Sequence, residues 1–324
     1  MCTAIGMHIG RFYFGRTLDF DFSYGEEVTI TPRRFPLPFR HQKSMEHHYA
    51  ILGMSRVEEG YPLYFDAINE AGLAMAGLNF VGNAVYNKPQ QGKCNIATFE
   101  FIPWILGQCA SVSGARNCLK KLNLTEDAFS TKFSPAQLHW IIADQKESIV
   151  VEATKKGLQV YDNPVGVLTN NPEFQEQLFR LNDYMSLSPE DPQNSFSHQL
   201  NLTPYSRGMG AMGLPGDLSS SSRFVRGAFT KLNSKVADTE REAVSQFFHV
   251  LGTVEQVNGC CKVGEGNYEK TLYTSCCDTE KGIYYYTTYE NRQITAIHMD
   301  NVDLNSANLF RYPLLRQEQI RQGN

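Results

Sequence analysis

Cys2 stands directly behind the initiator Met1. Removing one methionine leaves a residue that carries both a thiol and a free α-amine. An α-amine titrates at about 7.7–8.0 and a thiol near about 8.5, so one residue supplies a nucleophile and a base close to neutral pH. That pairing suits nucleophilic catalysis in which the amine activates the side chain beside it. Arg16 and Asp19 complete the set. A guanidinium near sulfur favours thiolate over thiol, and a carboxylate near the amine accepts its hydrogen bond and orients it. An exposed Arg/Asp pair contributing little is the other reading of the same two residues.

The elements around these residues decide whether they meet. Thr3-Ala4-Ile5-Gly6-Met7 reads as a strand and Arg11–Arg16 as its hairpin partner, turning at Ile9-Gly10. The second strand then returns Arg16 and Asp19 towards the terminus. Val28–Thr31 reads as a third strand, stopped by Pro32. Glu100–Gly107 and Val112–Leu122 read as helices; in the second, Val112, Ala115, Leu119 and Leu122 share a face behind a Ser111 cap. Leu138–Ala143 and Ser148–Glu152 form a hairpin, and Leu158–Tyr161 and Val165–Leu168 continue the meander. Leu187–Tyr205 is polar and irregular and reads as a loop. Phe224–Leu232 and Ala243–Leu251 read as helices. Leu272–Cys276, Gly282–Thr288 and Gln293–His298 close the chain as strands. Strands at both ends and in the middle, with helices between, predict a layered antiparallel α+β domain rather than a parallel sheet. The early and late strands are expected to share a sheet, which makes residues 1–324 one domain.

Composition narrows the partners. The chain has 324 residues, 42% hydrophobic and 20% charged, enough for a large core. Thirty basic against 34 acidic residues give a net charge of −4, with no basic run for nucleic acid. No apolar stretch approaches the roughly 18–20 residues of a membrane span, and no signal-like pattern opens the chain, so a cytoplasmic protein is expected. Eight cysteines in such a compartment are expected to be reduced. Cys260-Cys261 and Cys276-Cys277 lack zinc-knuckle spacing and have no histidine close by, so neither metal nor other cofactor is expected. Strand alternation would send one member of each pair inward. Cys94, Cys109 and Cys118 read as small core residues. Gly208, Gly210, Gly213 and Gly216 lack the lysine of a phosphate loop and read as backbone-shaping.

Met1-Cys2-Thr3-Ala4, Gly15-Arg16-Thr17-Leu18-Asp19, Ala76-Gly77-Leu78-Asn79-Phe80, Leu168-Thr169-Asn170-Asn171-Pro172, Gly213-Leu214-Pro215-Gly216-Asp217, Ser222-Arg223-Phe224 and Glu280–Tyr286 follow one another in order. Together they resemble the choloylglycine hydrolase family, with a likeness running to about residue 300 that is strongest to bile salt hydrolases of gut lactic acid bacteria. The resemblance implies the four-layer αββα N-terminal nucleophile hydrolase fold, two stacked antiparallel sheets between helix layers. It implies cleavage of the amide that joins a bile acid to glycine or taurine; relatives cleave penicillin V. Thr17-Leu18 stands where relatives often show Asn-Met, so residue 18 is expected to reshape the apolar pocket. With cysteine directly after methionine, activation is expected to require methionine removal alone.

By the same resemblance Cys2 is the nucleophile and its amine the proton shuttle. The backbone N–H of Asn79 and the side-chain amide of Asn170 hold the oxyanion, Asp19 holds the amine, Arg16 favours the thiolate, and Arg223 adds a second positive charge. Read from the residues alone, Asn79 is a turn residue after Gly77-Leu78, and Asn170-Asn171-Pro172 is a strand-breaking turn. Arg223 falls in a first helical turn after Ser219–Ser222, against the helix dipole, which hints at another use. Leu18, Phe20, Tyr24, Phe65 and Phe80 are candidates for an apolar steroid slot, with Leu18, Tyr24 and Phe65 preferred; such aromatics also serve as plain core. The substrates expected are glyco- and tauro-conjugated bile acids, and the family likeness implies a homotetramer with Leu187–Tyr205 as a contact. Penicillin V hydrolysis and non-catalytic steroid binding are the alternatives. A thiol protease with His139 as base fails on context, because His139 lies inside a strand beside Trp140.

Overall fold

In the computed structural model, which describes residues 1–235 and 237–324, two antiparallel sheets stack face to face. The first takes its strands from both ends of the chain. Strands β1 (Cys2–Ile9) and β2 (Arg11–Phe20) form the opening hairpin; β14 (Asn267–Asp278), β15 (Ile283–Thr288) and β16 (Asn291–His298) continue it. Strand β12 (Val167–Leu168) covers the outer edge of β1, and β13 (Cys261–Val263) hangs from β14. The second sheet runs β11 (Gly157–Asp162), β10 (Ser148–Thr154), β9 (Leu138–Ala143), β6 (Ala74–Asn79), β5 (Tyr61–Asn69), β4 (Ile51–Glu58), β3 (Glu27–Thr31) and β17 (Phe310–Pro313). A small parallel pair, β7 (Cys94–Ala97) and β8 (Leu122–Thr125), stands apart.

Helices close both outer faces. α4 (Ser220–Asn233) and α5 (Glu240–Gly252) lie on the first sheet, against β1, β2, β12 and β14. α1 (Phe101–Gln108) lies on the second, against β4, β5 and β6, followed by α2 (Val112–Leu119); α3 (Phe174–Arg180) follows β12. One apolar cluster fills the space between the sheets and under α4 and α5, and another lies between the second sheet and α1 and α2. The layers are therefore helix, sheet, sheet, helix. No helix among the described residues is long and apolar enough to cross a membrane.

The opening hairpin, the central hairpin at β9–β10 and the shared sheet of early and late strands agree with the expectations from sequence. Four expectations need correction. The helix expected to reach Leu122 stops at Leu119, because Leu122–Thr125 pairs with Cys94–Ala97 as a strand. Val167–Leu168 does not continue the meander; it leaves the second sheet to pair with β1 in the first. Cys276 and Cys277 are both fully buried, since β14 has an apolar layer on each side and neither face is wet. Cys94 and Cys118 are half-buried rather than core.

Gly15 marks how closely the strands of the first sheet pack. A Cβ there would lie 2.0 Å from the Ser275 carbonyl oxygen of β14. Only a residue without a side chain fits at that point, next to Arg16.

Candidate active site

Pairing and alternation sort the candidate residues onto two faces. Cys2 stands opposite Leu18, and Ala4 opposite Arg16. Successive side chains on a strand point to opposite sides, so Cys2, Arg16 and Leu18 face the second sheet. Thr3, Thr17 and Asp19 face α4. The thiol therefore meets Arg16, while Asp19 sits behind the chain terminus.

Arg16 is buried where β5 and β6 part. Their ladder stops at the Asp66–Ala76 pair. Beyond it, Arg16 Nη1 donates to the carbonyls of Gly77 (2.6 Å) and Phe65 (3.2 Å), and Nε donates to the Thr17 carbonyl. Nη2 is buried and has no hydrogen-bond partner among the described residues. Burial pulls this guanidinium's pKa down, but the opposite charges at Cys2, Tyr273, Asp66 and Asp19 outweigh that and raise it. Asp66, buried behind it, accepts from Tyr273 and Tyr284 hydroxyls and from Ser275 Oγ. Ser275 Oγ in turn accepts the Arg16 N–H at 3.1 Å. None of this support was read from sequence; an aspartate and two tyrosines inside buried strands were its only signal.

The chain terminus is held on the other face. Met1 is present in the structure, and its ammonium donates to the Asp19 carbonyl (2.7 Å) and to Glu269 Oε1 (2.8 Å). The Asp19 carboxylate accepts from Thr271 Oγ1 at 2.7 Å and from Thr17 Oγ1. Burial raises its pKa, opposed by the nearby charges of Arg223 and the terminus. A bulge between Thr271 and Tyr273 in β14 turns Thr271 towards it. Glu269 and Thr271 were not identified from sequence, since long-range pairing alone brings them here.

With Met1 in place, the Cys2 N–H donates to Asn170 Oδ1 at 2.8 Å, not to Asp19. Arg223 Nη2 donates to the same oxygen at 2.8 Å, and its Nη1 donates to the Cys2 carbonyl and to Thr3 Oγ1. Two donors on Oδ1 fix the amide, so Nδ2 points forward and donates to the Asn79 carbonyl at 2.8 Å. Arg223, fully buried in α4, thus orients Asn170; burial lowers its pKa, opposed by Asp19 and Cys2. Phe80 N–H bonds the carbonyl of Gln137, the residue before β9, so by alternation the Asn79 N–H turns to the other side of β6, where the ladder with β5 has ended. The two asparagines, which the turn reading kept apart, are joined by a hydrogen bond.

Cys2, Arg16 and Asn79 open onto one cavity of about 180 Å³. Leu18, Phe20, Tyr24 and Phe65 line it as well. Phe80 does not: it is fully buried and stacks on His139 instead. Further walls come from Phe99 and Ile102 ahead of and within α1 and from Phe129, Phe133 and Pro135 of the connection between β8 and β9. Their distance in sequence from every motif hid them. Asn170 is not part of the lining and meets the site through its bond to Asn79. An apolar slot with Cys2 and Asn79 at one end suits a bulky hydrophobic acyl group whose carbonyl reaches Cys2.

A model of linear amide C–N hydrolases, choloylglycine hydrolase family, matches residues 2–312. A protein of Lactiplantibacillus plantarum named bile salt hydrolase/transferase is 55% identical over 324 residues, covering 100% of both chains. The crystal structure of a variant of the conjugated bile acid hydrolase from Clostridium perfringens superimposes with a TM-score of 0.93 at 37% identity, covering 100% of both chains. The structure of penicillin V acylase from Agrobacterium tumefaciens gives 0.75 at 21% identity over 96% of this chain and 90% of that one, a likeness of fold.

Proposed function

The chain belongs to the choloylglycine hydrolase family of linear amide C–N hydrolases, and on that footing we propose how it works: as a bile salt hydrolase that cleaves the amide of glycine- and taurine-conjugated bile acids at Cys2. The observation that carries the reading is that Cys2 and the buried Arg16 share one face of the first sheet and open together onto an apolar cavity.

Methionine removal frees the Cys2 amine. The thiolate, paired with Arg16, attacks the amide carbonyl, and the oxyanion takes hydrogen bonds from the Asn79 N–H and Asn170 Nδ2. The Cys2 amine, whose N–H bonds Asn170 Oδ1 while Met1 is in place and for which Asp19 is the proposed partner once Met1 is gone, passes a proton to the departing glycine or taurine nitrogen. Water then attacks the thioester and releases the free bile acid. Arg223 keeps the Asn170 amide facing forward. Leu18, Tyr24 and Phe65 bear on the steroid. A thioester met by an amine before water would transfer its acyl group, in keeping with the hydrolase/transferase name of the Lactiplantibacillus relative.

We infer a cytoplasmic homotetramer; Leu187–Tyr205, with Phe196, Leu200, Leu202 and Tyr205 exposed, is the contact proposed for it. The test is release of amino acid from glycocholate and taurocholate, with penicillin V alongside. Turnover of both bile salts by the wild type and none by Cys2→Ala is expected. Preference for penicillin V would move the substrate to that branch. Bile salt binding with no hydrolysis by the wild type would leave the steroid-binding alternative.

A further inference from the structure

His139 is buried, lies outside the cavity lining, and touches the neighbours of both oxyanion donors. Its backbone stands opposite Leu78, the residue before Asn79. Its ring stacks on Phe80, the residue after Asn79, with centroids 4.3 Å apart and planes 6° from parallel. Its Nε2 lies 2.8 Å from the carbonyl oxygen of Thr169, the residue before Asn170. Its Nδ1 lies 3.0 Å from Glu152 Oε1, which also accepts the Phe174 N–H at 3.0 Å. The ring thus ties β9 to the end of β6, to β10, and to the segment that runs from Thr169 into α3.

The hydrogen bonds define what this ring can do. A carbonyl oxygen cannot donate, so Nε2 must carry a hydrogen and donate to Thr169. The other nitrogen is committed to Glu152, with one hydrogen between them. No nitrogen is left to act on a substrate, which excludes the general-base role for a reason beyond context. What remains is geometry: a rigid planar spacer between the two pieces of chain that carry the donors. Donor placement matters because an oxyanion site acts only when both donors lie about 2.7–3.1 Å from the charge that develops.

We propose that His139, held by Glu152, is a positioning residue that sets the spacing between the Asn79 N–H and the Asn170 amide. The inference rests on the oxyanion roles given above. It predicts a loss in the chemical step and not in substrate binding or in the thiolate. His139→Leu fills the space but donates to neither partner; His139→Gln carries its amide nitrogen near the place of Nε2; His139→Asn, one bond shorter, reaches Glu152 and not Thr169. For His139→Leu, kcat falls about 100-fold while KM stays within about threefold. His139→Gln recovers roughly tenfold of that loss, and His139→Asn does not. The rate of Cys2 alkylation by iodoacetamide stays within about twofold of wild type in all three, because alkylation of a thiolate needs no oxyanion donor.

The proposal is overturned if kcat is unchanged, if KM and alkylation move as far as kcat, or if Gln and Asn lose equally. Should His139→Leu fail to fold, the Gln-to-Asn ratio decides alone, since both are neutral amides in the same buried place. Failure of the substrate reading is seen separately, in the wild type. An enzyme idle on bile salts but active on penicillin V is assayed on penicillin V, and the same ratios apply.

Discussion

At the residue scale, Asn170 is the point where the largest number of roles meet. Its Oδ1 takes donors from Cys2 and Arg223, and its Nδ2 reaches Asn79. On the role proposed for it, Asn170→Ala removes one oxyanion donor; it also leaves Arg223 without that acceptor in a buried site. A fall in kcat of roughly 100–1,000-fold is expected, read from steady-state release of glycine. Cys2→Ser is expected to leave little activity, and Cys2→Ala none above background; a fully active Cys2→Ala protein would end the mechanism. The purified active chain is expected to begin at Cys2 by intact mass, since an active protein retaining Met1 would deprive the amine of its role. Cys2, Arg16 and Asp19 were singled out in sequence by residue type and by a hairpin that returns towards the terminus; strand pairing then puts Cys2 and Arg16 on one face and Asp19 on the other. Asn79 and Asn170 were legible only through family likeness, since each alone reads as a turn. Glu269, Thr271 and Asp66 were not legible at all; their meaning comes from strand partners up to 268 residues away.

At the element scale, what the strands and helices demand is separable from catalysis. Gly15 lets β14 lie against β2. Gly15→Ala drives a Cβ into backbone, which cannot give way as a side-chain tip can, and a loss of more than about 3 kcal/mol is expected from urea unfolding. Lys231, in the last turn of α4, is largely buried with its ammonium donating to the Val165 carbonyl. Burial lowers its pKa to about 8. The folded-state value lies below that of an unfolded lysine, so the charged form is the penalised one. The penalty is fully present below about pH 8 and is relieved as pH rises from there to the unfolded value near about 10.4. Lys231→Met is therefore expected to stabilise the protein at pH 7 by about 1 kcal/mol, after the lost carbonyl bond is counted, and by less at pH 10. Thermal melts of both proteins across that range check the sign. Hairpins and amphipathic helices were readable from turn residues and apolar period, as in β1–β2 and α5, though the Thr239 cap that starts α5 at Glu240 rather than Ala243 was not read. The overrun of α2 and the misplaced β12 share a cause: a short apolar run pairs with whichever strand lies beside it, and period does not name the partner.

At the scale of the whole molecule, the active site exists only because two sheets stack. Cys2, Arg16 and Leu18 come from one, and Phe65 and Asn79 from the other. Met185, just before the stretch Leu187–Tyr205 that composition marked as a polar loop, and Phe196 and Tyr205 within it are more than four-fifths exposed. Soluble monomers seldom expose so many large apolar side chains close together in sequence. Light scattering is expected to give a multiple of the chain mass, and Phe196→Ser with Tyr205→Ser to lower it. The pairing of the half-buried Met1 ammonium with Asp19 and Glu269 also bears on how the protein can be made. An affinity handle fused ahead of Met1 would have to thread past that carboxylate and would deny aminopeptidase its substrate, so an inert product is expected. The opposite end, exposed from Gln317 to Asn324, is where a handle, a fluorophore or a surface-display anchor belongs.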